Sequence, residues 1–266
     1  YNKNELIKAN DETNNTRENM LSGSALIEGE ALGTIYSYPF AGLDHETGLP
    51  VFYDKKGNTS ATWLSKTYKN YTLYEDEIEL VKSGVVSPPH TGGINLEYRW
   101  KEWILRGSFT YSLGAVNRLP FIYGDYDSVF DPEKNVTREI LNRWREPGDE
   151  LHTNIPALYD DNTYTNLGVR PMRANVDHIY GTSMYDYSTA RVCSTNNLRL
   201  RSLSLSYIFN KKMLKKMHLS NFQISAQANN LFIIADKRWH GFDPEQGSAA
   251  NSSIPRTYSL SVTIGF

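Results

Sequence analysis

The final segment of the chain alternates between apolar and other side chains. The apolar positions are Tyr258, Leu260, Val262, Ile264 and Phe266. The positions between them carry Thr257, Ser259, Ser261, Thr263 and Gly265. Because successive side chains of a strand lie on opposite faces, the pattern predicts a strand with one apolar face and one polar face. Such a strand suits a membrane barrel, where the apolar face contacts lipid, and it also suits a soluble β-sandwich.

The same alternation predicts four more strands. They cover residues 94–101, 103–113, 198–209 and 219–234. In the third of these the phase is broken, because Leu198 and Leu200 alternate out of step with Leu203 and Leu205. A β-bulge near Ser202 would explain the break, and so would emergence of the strand above the lipid. The sequence leaves both explanations open.

The connections between the predicted strands alternate between short and long. The short connections run from Trp100 to Trp103 and from Asn210 to His218. The long connections are polar and occupy about residues 10–92, 117–191 and 236–254. Compact soluble domains rarely contain structureless connections longer than about 15 residues. Short turns at one end and long loops at the other are typical of outer-membrane barrels. The pattern therefore predicts short turns on the periplasmic side and long loops outside the cell.

The predicted strands are too few to close a membrane barrel, which needs at least about eight. We therefore expect further wall to come from outside these residues. We expect these residues to be the carboxyl-terminal part of a longer protein.

Composition limits the other function classes. The 266 residues include 18 tyrosines and one cysteine, and the net charge is −2. No apolar run approaches the ~18 residues of a membrane helix, so any spanning segment is expected to be a strand. The single cysteine excludes an internal disulfide framework. One cationic cluster occurs, at residues 211–216, and no basic stripe indicates nucleic-acid binding.

Several short motifs follow one another along the chain. They are Glu28-Gly29-Glu30-Ala31-Leu32-Gly33, Gly42-Leu43-Asp44-His45-Glu46-Thr47-Gly48-Leu49-Pro50, Thr91-Gly92-Gly93-Ile94-Asn95, Arg143-Trp144-Arg145-Glu146-Pro147-Gly148-Asp149, Leu198-Arg199-Leu200-Arg201, Asn229-Asn230-Leu231-Phe232, Gly241-Phe242-Asp243-Pro244-Glu245 and Pro255-Arg256-Thr257-Tyr258. In this order and spacing, the motifs resemble the carboxyl-terminal part of SusC/RagA-like TonB-dependent transporters of Bacteroidetes outer membranes.

The resemblance implies an all-β fold, a transmembrane antiparallel β-barrel of about 22 strands in the full transporter. Residues 1–266 would supply its last five or six strands and long extracellular loops, while the plug and the early strands would lie elsewhere. The implied location is the outer membrane, in contact with its lipid.

The resemblance also implies a function and partners. The full transporter would actively import oligomeric nutrients, either glycan oligosaccharides or oligopeptides. A SusD-like surface lipoprotein would cover the barrel as a lid, and the TonB complex would supply energy through the segment that precedes these residues.

Catalytic and metal-binding patterns are weak in this sequence. The histidines, among them His45 and His178, show no HExxH spacing, and we expect no metal site and no cofactor. An acidic run contains Asp125, Asp127, Asp131 and Glu133 but lacks the EF-hand pattern. A solvated acidic loop is the favoured interpretation, and a calcium site in an extracellular loop is the alternative. The acidic residues Glu75, Asp76, Glu77 and Glu79 could suggest a glycosidase, but their segment is typical of a polar loop or a short helix. The sequence also contains no GxSxG nucleophile motif. We therefore do not expect an enzyme.

Tyrosines in the long middle loop are the candidate ligand contacts. They are Tyr123, Tyr126, Tyr180, Tyr185 and Tyr187. An exposed aromatic face can stack on a sugar ring or pack against a peptide side chain. The competing interpretation, which we favour, is that these rings brace the loops against each other and the lid.

Another group of candidates lies in the tryptophan motif of the same loop. Its members are Trp144, Pro147, Gly148 and Asp149. Proline and glycine fix a turn, and an aspartate can cap neighbouring amides. We expect these residues to shape a surface on which the lid docks.

A soluble, secreted β-rich glycan-binding module is the alternative function. It predicts that these residues fold and stay in solution without detergent. The long loops favour the transporter, because they are difficult to place in one soluble sandwich.

Overall fold

The computed structural model describes residues 1–9, 15–59, 78–123, 133, 135–160, 162–163, 181–246 and 254–266. Side chains are described throughout these ranges except at 181–183. The strands in chain order are β1 (Thr34–Ser37), β2 (Phe40–Leu43), β3 (Pro50–Phe52), β4 (Val81–Val85), β5 (His90–Trp100), β6 (Trp103–Leu113), β7 (Val116–Arg118), β8 (Val192–Ser194), β9 (Asn197–Ile208), β10 (Asn221–Ala235) and β11 (Thr257–Gly265).

Short helices occur between the strands. The α-helices are α1 (Arg17–Ser22), α2 (Gly181–Asp186) and α3 (Lys211–Met217), and the 3-10 helices cover Arg138–Asn142, Asp149–Leu151, Thr189–Arg191 and Lys237–Trp239. Within the described residues, every helix is too short or too polar to cross a membrane.

The described chain divides into two compact units. The sheet unit comprises Tyr1–Lys3, Pro88–Ala115 and Ser194–Phe266, and the loop unit comprises Asn4–Ser87 and Val116–Cys193. The sheet unit contains a five-stranded sheet in the order β11-β10-β9-β6-β5, and all its neighbouring strands are antiparallel. The five strands predicted by the alternation are therefore confirmed, with bounds that differ by a few residues.

A β-bulge in β9 explains the broken phase of that strand. Ser202 pairs with Ser108, but the next pair joins Leu200 to Phe109, so Arg201 is the extra residue. The bulge returns Leu200 to the face that carries the other apolar residues. Of the two explanations open from the sequence, the bulge is the one observed.

The register places most of the apolar residues of the five strands on one face, whereas Ile104, Ile208 and Ile233 lie on the other. One row across the sheet runs Tyr98, Leu105, Leu205, Ala226 and Leu260, and the next runs Trp100, Trp103, Tyr207, Ile224 and Val262. A row on the opposite face runs Glu97, Arg106, Ser204, Gln227 and Ser259. The sheet therefore has two chemically distinct faces.

The loop unit has a hydrophobic core of its own. One cluster contains Leu21, Tyr38, Phe52, Ile78 and Met184, and a second contains Ile122, Tyr123, Ile140 and Tyr185. Small two-stranded sheets join β1 to β4, β2 to β3 and β7 to β8. The long connections expected to be polar loops thus contain packed structure over their described parts.

Candidate functional site

The apolar face of the sheet is exposed within the part of the chain that the structure describes. Leu260 is 73% exposed and Leu96 is 59% exposed, although both lie in mid-strand on the apolar face. Isolated exposed leucines are ordinary, but a contiguous apolar face across five strands marks an interaction surface. This face is the first candidate functional surface.

Aromatic rings line one end of the same sheet. The ring centroids of Trp103 and Tyr207 are 4.8 Å apart, those of Tyr207 and Phe209 are 4.9 Å apart, and those of Phe209 and Phe222 are 4.4 Å apart. The turn from Trp100 to Trp103 lies at this end. Aromatic residues at the ends of apolar strands are typical of membrane interfaces.

The opposite face carries hydrogen-bonded polar and charged groups. Glu97 accepts hydrogen bonds from Arg99 and Arg106, at 2.5 Å and 2.6 Å, and all three side chains are substantially exposed. The Ser206 and Ser225 hydroxyls lie 2.9 Å apart. Such a face is compatible with water and incompatible with an apolar core.

A charged cluster joins the last loop to β9. The guanidinium of Arg199 donates to both carboxylate oxygens of Asp243 at 2.6 Å, and both side chains are almost fully buried. Arg201 donates to Glu245 at 2.9 Å and to Thr110 Oγ1 at 2.9 Å. Two of the sequence motifs, one in the strand and one in the loop, are therefore in direct contact.

The tryptophan motif of the loop unit is a packing element. Trp144 is 3% exposed, and its Nε1 donates to Glu150 at 3.2 Å. Asp149 accepts hydrogen bonds from the backbone amides of Arg145 and Glu146, as expected for a capping carboxylate. Pro147 is exposed, and Gly148 has a φ of 107°, which suits glycine. The docking of a lid on this motif stays a prediction.

Glu150 connects two of the sequence motifs within the loop unit. It accepts from His45 Nδ1 at 2.6 Å, from the Gly148 amide at 2.8 Å and from Trp144. The hydrogen bond from His45 is the main cause that lowers the pKa of Glu150 to about 2. The same contact raises the pKa of the exposed His45.

Two of the five candidate tyrosines are buried, which corrects the expectation of exposed rings. Tyr123 and Tyr185 are each 2% exposed and stack edge to face, with centroids 6.1 Å apart. Tyr123 also donates to the carbonyl of Pro156 at 2.5 Å. Burial leaves these rings no free face for a ligand, so they fit the bracing interpretation. Tyr187 is partly buried, 5.0 Å from the ring of Phe121.

The remaining candidates fall outside the described residues. They are Tyr126 and Tyr180, together with Asp125, Asp127 and Asp131 of the possible calcium site. The structure contains no group of His, Cys, Asp and Glu suited to a metal ion in the part of the chain that it describes.

Several buried charged residues of the loop unit were not identified from the sequence. Arg118 donates to the carbonyls of Leu21 and Tyr36, and its burial lowers its pKa to about 10. Asp186 accepts from the amides of Ile122 and Tyr123 at 2.9 Å.

Arg191 pairs with Glu139, and both residues are almost fully buried. No periodic pattern in the sequence predicts this pair or the hydrogen bonds of Arg118 and Asp186. Only the folded backbone brings the partners together.

Comparisons with known proteins found one similar curated sequence and several similar solved structures. No protein-family model matches the chain. A TonB-dependent receptor of Formosa agariphila is 26% identical over an alignment of 297 residues, which spans 98% of this chain and 26% of that receptor.

Solved structures of RagAB share the fold. The RagAB peptide transporter gives a TM-score of 0.58 at 23% identity, over 91% of this chain and 24% of that chain. The RagAB peptide importer in the open-open state also gives a TM-score of 0.58, at 21% identity, over 88% of this chain and 23% of that chain. The chain thus spans about a quarter of the length of each protein. The resemblance to SusC/RagA-like TonB-dependent transporters is therefore confirmed.

Proposed function

We propose that residues 1–266 form the carboxyl-terminal wall and extracellular loops of a TonB-dependent outer-membrane importer. The full protein would be a barrel of about 22 strands around a plug. The observation that carries this proposal is the sheet itself, in which one continuous apolar face is exposed among the described residues and the other face is mostly polar and charged.

Lipid is the environment that fits the apolar face. Fully burying a large apolar side chain contributes about 1.5–3 kcal/mol, and this face presents many such side chains. In water, an open sheet with a bare apolar face promotes aggregation. Its polar reverse, with the exposed Glu97, Arg99 and Arg106, fits a hydrated barrel interior. These observations disfavour the soluble glycan-binding module.

The connections support the orientation. The Trp100–Trp103 turn and α3 connect strands at one end of the sheet, and the long segments leave from the other end. In outer-membrane barrels the short turns face the periplasm. The long segments would then lie outside the cell, where a SusD-like lipoprotein covers them as a lid.

Import would depend on gated passage and binding, with no bond chemistry in this part of the protein. Cargo would be an oligosaccharide or an oligopeptide, and the description of RagAB as a peptide importer supports the second class. Tyr126, Tyr180 and Tyr187 remain the proposed cargo contacts. Pro147 and its neighbours in the tryptophan motif remain the proposed docking surface for the lid.

Uptake by whole cells tests the proposal. Cells with and without the full-length protein would receive fluorescent oligopeptides and, separately, fluorescent oligosaccharides. We expect one cargo class to accumulate only when the protein, TonB and the neighbouring lid lipoprotein are all present. Equal accumulation without TonB would contradict active import, and accumulation of neither class would contradict the proposed cargo.

A further inference from the structure

The lysine cluster at one end of the sheet has no role in the function described so far. Helix α3 has the sequence Lys211-Lys212-Met213-Leu214-Lys215-Lys216-Met217, and its N-cap is Asn210. At 100° per residue, the four lysines share one side of the helix and the two methionines and the leucine share the other. Leu214 is buried, whereas the lysines and both methionines are exposed.

The charge of this helix is not balanced within the described protein. We call Lys211, Lys212, Lys215 and Lys216 the rim lysines. They form no ion pair in the part of the chain that the structure describes. The pairs 211/215 and 212/216 are like charges at i and i+4, which repel. The first turn contains two lysines and no acidic residue, an arrangement that the helix dipole disfavours. An external anionic partner would offset all these unfavourable terms.

The position of the helix indicates which anion. Asn210 donates to Glu102 Oε1 at 3.3 Å, and the Ile208 amide donates to the Glu102 carbonyl at 2.9 Å. The rim lysines therefore lie beside the Trp100–Trp103 turn and the aromatic rings that end the apolar face. Lys101 lies over the ring of Trp100, 5.1 Å from its centroid. Basic residues at the edge of an apolar, aromatic-lined surface match the headgroup layer of a membrane that contains anionic lipid.

We propose that the rim lysines bind anionic phospholipid headgroups of the leaflet at this end of the barrel. The inference rests on the proposed membrane-spanning function. The exposed Met213 and Met217 would enter the acyl boundary beside the apolar face, while the ammonium groups contact phosphate. The contact would fix the depth of this end of the wall and restrain the β9–β10 turn.

Lipid binding to the full-length transporter tests the proposal. The detergent-purified protein would be delipidated and titrated with phosphatidylglycerol or phosphatidylethanolamine, and bound lipids would be counted by native mass spectrometry. We expect wild type to prefer phosphatidylglycerol. We expect the K211Q/K212Q/K215Q/K216Q variant to bind it about tenfold more weakly at low salt, because each lysine near an anionic surface contributes appreciably to binding. Its affinity for phosphatidylethanolamine should be unchanged.

A matched control removes the same charge elsewhere. The variant K8Q/K55Q/K56Q/K237Q replaces four exposed lysines far from the rim in sequence and should keep the preference. Replacing all four rim lysines with arginine should also keep it, which protects the test against a folding defect in the glutamine variant.

Each outcome decides the proposal. An unchanged preference in the rim glutamine variant would overturn it, and so would an equal loss in the control variant. A loss of preference in the arginine variant would also overturn it. Failure here leaves the proposed function intact as long as the apolar face of β11 still contacts lipid, which an independent spin-label measurement establishes.

Discussion

The aromatic ring of Trp144 occupies the space where a side chain on Gly48 would begin. A Cβ built on Gly48 would lie 2.1 Å from Cδ2 of Trp144, and the backbone of Gly48 has a φ of +61°. The carbonyl of Gly48 also accepts from the Ala157 amide at 2.9 Å. This contact joins the first long segment to the second and explains why a glycine and a buried tryptophan occur in those two motifs.

Replacing Gly48 with alanine should destabilise the loop unit. The added carbon overlaps the indole and the backbone strain adds to the cost, so we expect a loss of about 2–4 kcal/mol in local stability. Hydrogen exchange of peptides covering 44–50 and 143–150 measures it. Gly57→Ala is the control, because Gly57 has a φ of +78° but open space around its Cβ. Equal effects of the two substitutions would contradict the packing account.

Replacing Asp243 with asparagine should release the last loop from β9. The change removes the closer of the two counter-charges of the buried Arg199 and leaves Glu245 at 3.1 Å from its Nε. We therefore expect a loss of about 3 kcal/mol, the lower end of the cost of breaking a buried pair. We expect faster hydrogen exchange across 236–246. Asp236→Asn is the control, since the pair of Asp236 with Arg238 is exposed and contributes about 1 kcal/mol or less. An effect of Asp243→Asn no larger than that of the control would contradict the account.

The contact between His45 and Glu150 predicts a dependence on pH. The pKa of His45 is raised, so its contribution is complete below the ordinary histidine pKa and is lost as pH rises through the raised value. The pKa of Glu150 is lowered to about 2, so its contribution is complete above the ordinary carboxyl pKa and is lost as pH falls towards 2.

Protease resistance of the segment 143–152 should therefore be higher at pH 6 than at pH 9. The difference should be absent in His45→Gln, measured with the same protease at each pH. A difference of equal size in the variant would show that the contact is not its cause.

Arginine substitutions in β11 distinguish the two faces of the sheet. Val262 lies on the apolar face opposite Ile224, and Ser261 lies on the polar face opposite Ser225. Val262→Arg should cost roughly 2–4 kcal/mol near the middle of the bilayer, because the charge would contact lipid. Ser261→Arg should be milder, since it would face water. Heat-modifiability of the full protein on gels measures both, and equal tolerance would contradict a lipid-facing wall.

The strands were predictable from sequence because a sheet with one apolar and one polar face imposes a period of two along each strand. The bulge at Arg201 was not, because a broken phase has more than one physical cause and only the pairing of Leu200 with Phe109 identifies it. Helix α3 was not predictable, because its seven residues are too few to establish a helical period.

The loop unit shows the limit of such predictions. Tyr123 and Tyr185 have no periodic neighbours, and their burial results from contacts between segments far apart in the chain. The capping role of Asp149 was predictable because it depends on adjacent amides. The contact of Arg118 with the Leu21 carbonyl and the pair of Arg191 with Glu139 were not, because the partners lie about 50 residues or more apart along the chain.

Spin-label accessibility along β11 tests the central claim most directly. Nitroxide labels placed one at a time at positions 258–264 of the full protein in lipid bilayers would be exposed to oxygen, which partitions into lipid, and to a water-soluble nickel chelate. The account predicts that labels at 258, 260, 262 and 264 respond mainly to oxygen and that labels at 259, 261 and 263 respond mainly to the chelate. Equal responses at successive positions, or protection of both sets from both reagents, would contradict a wall with lipid on one face and water on the other.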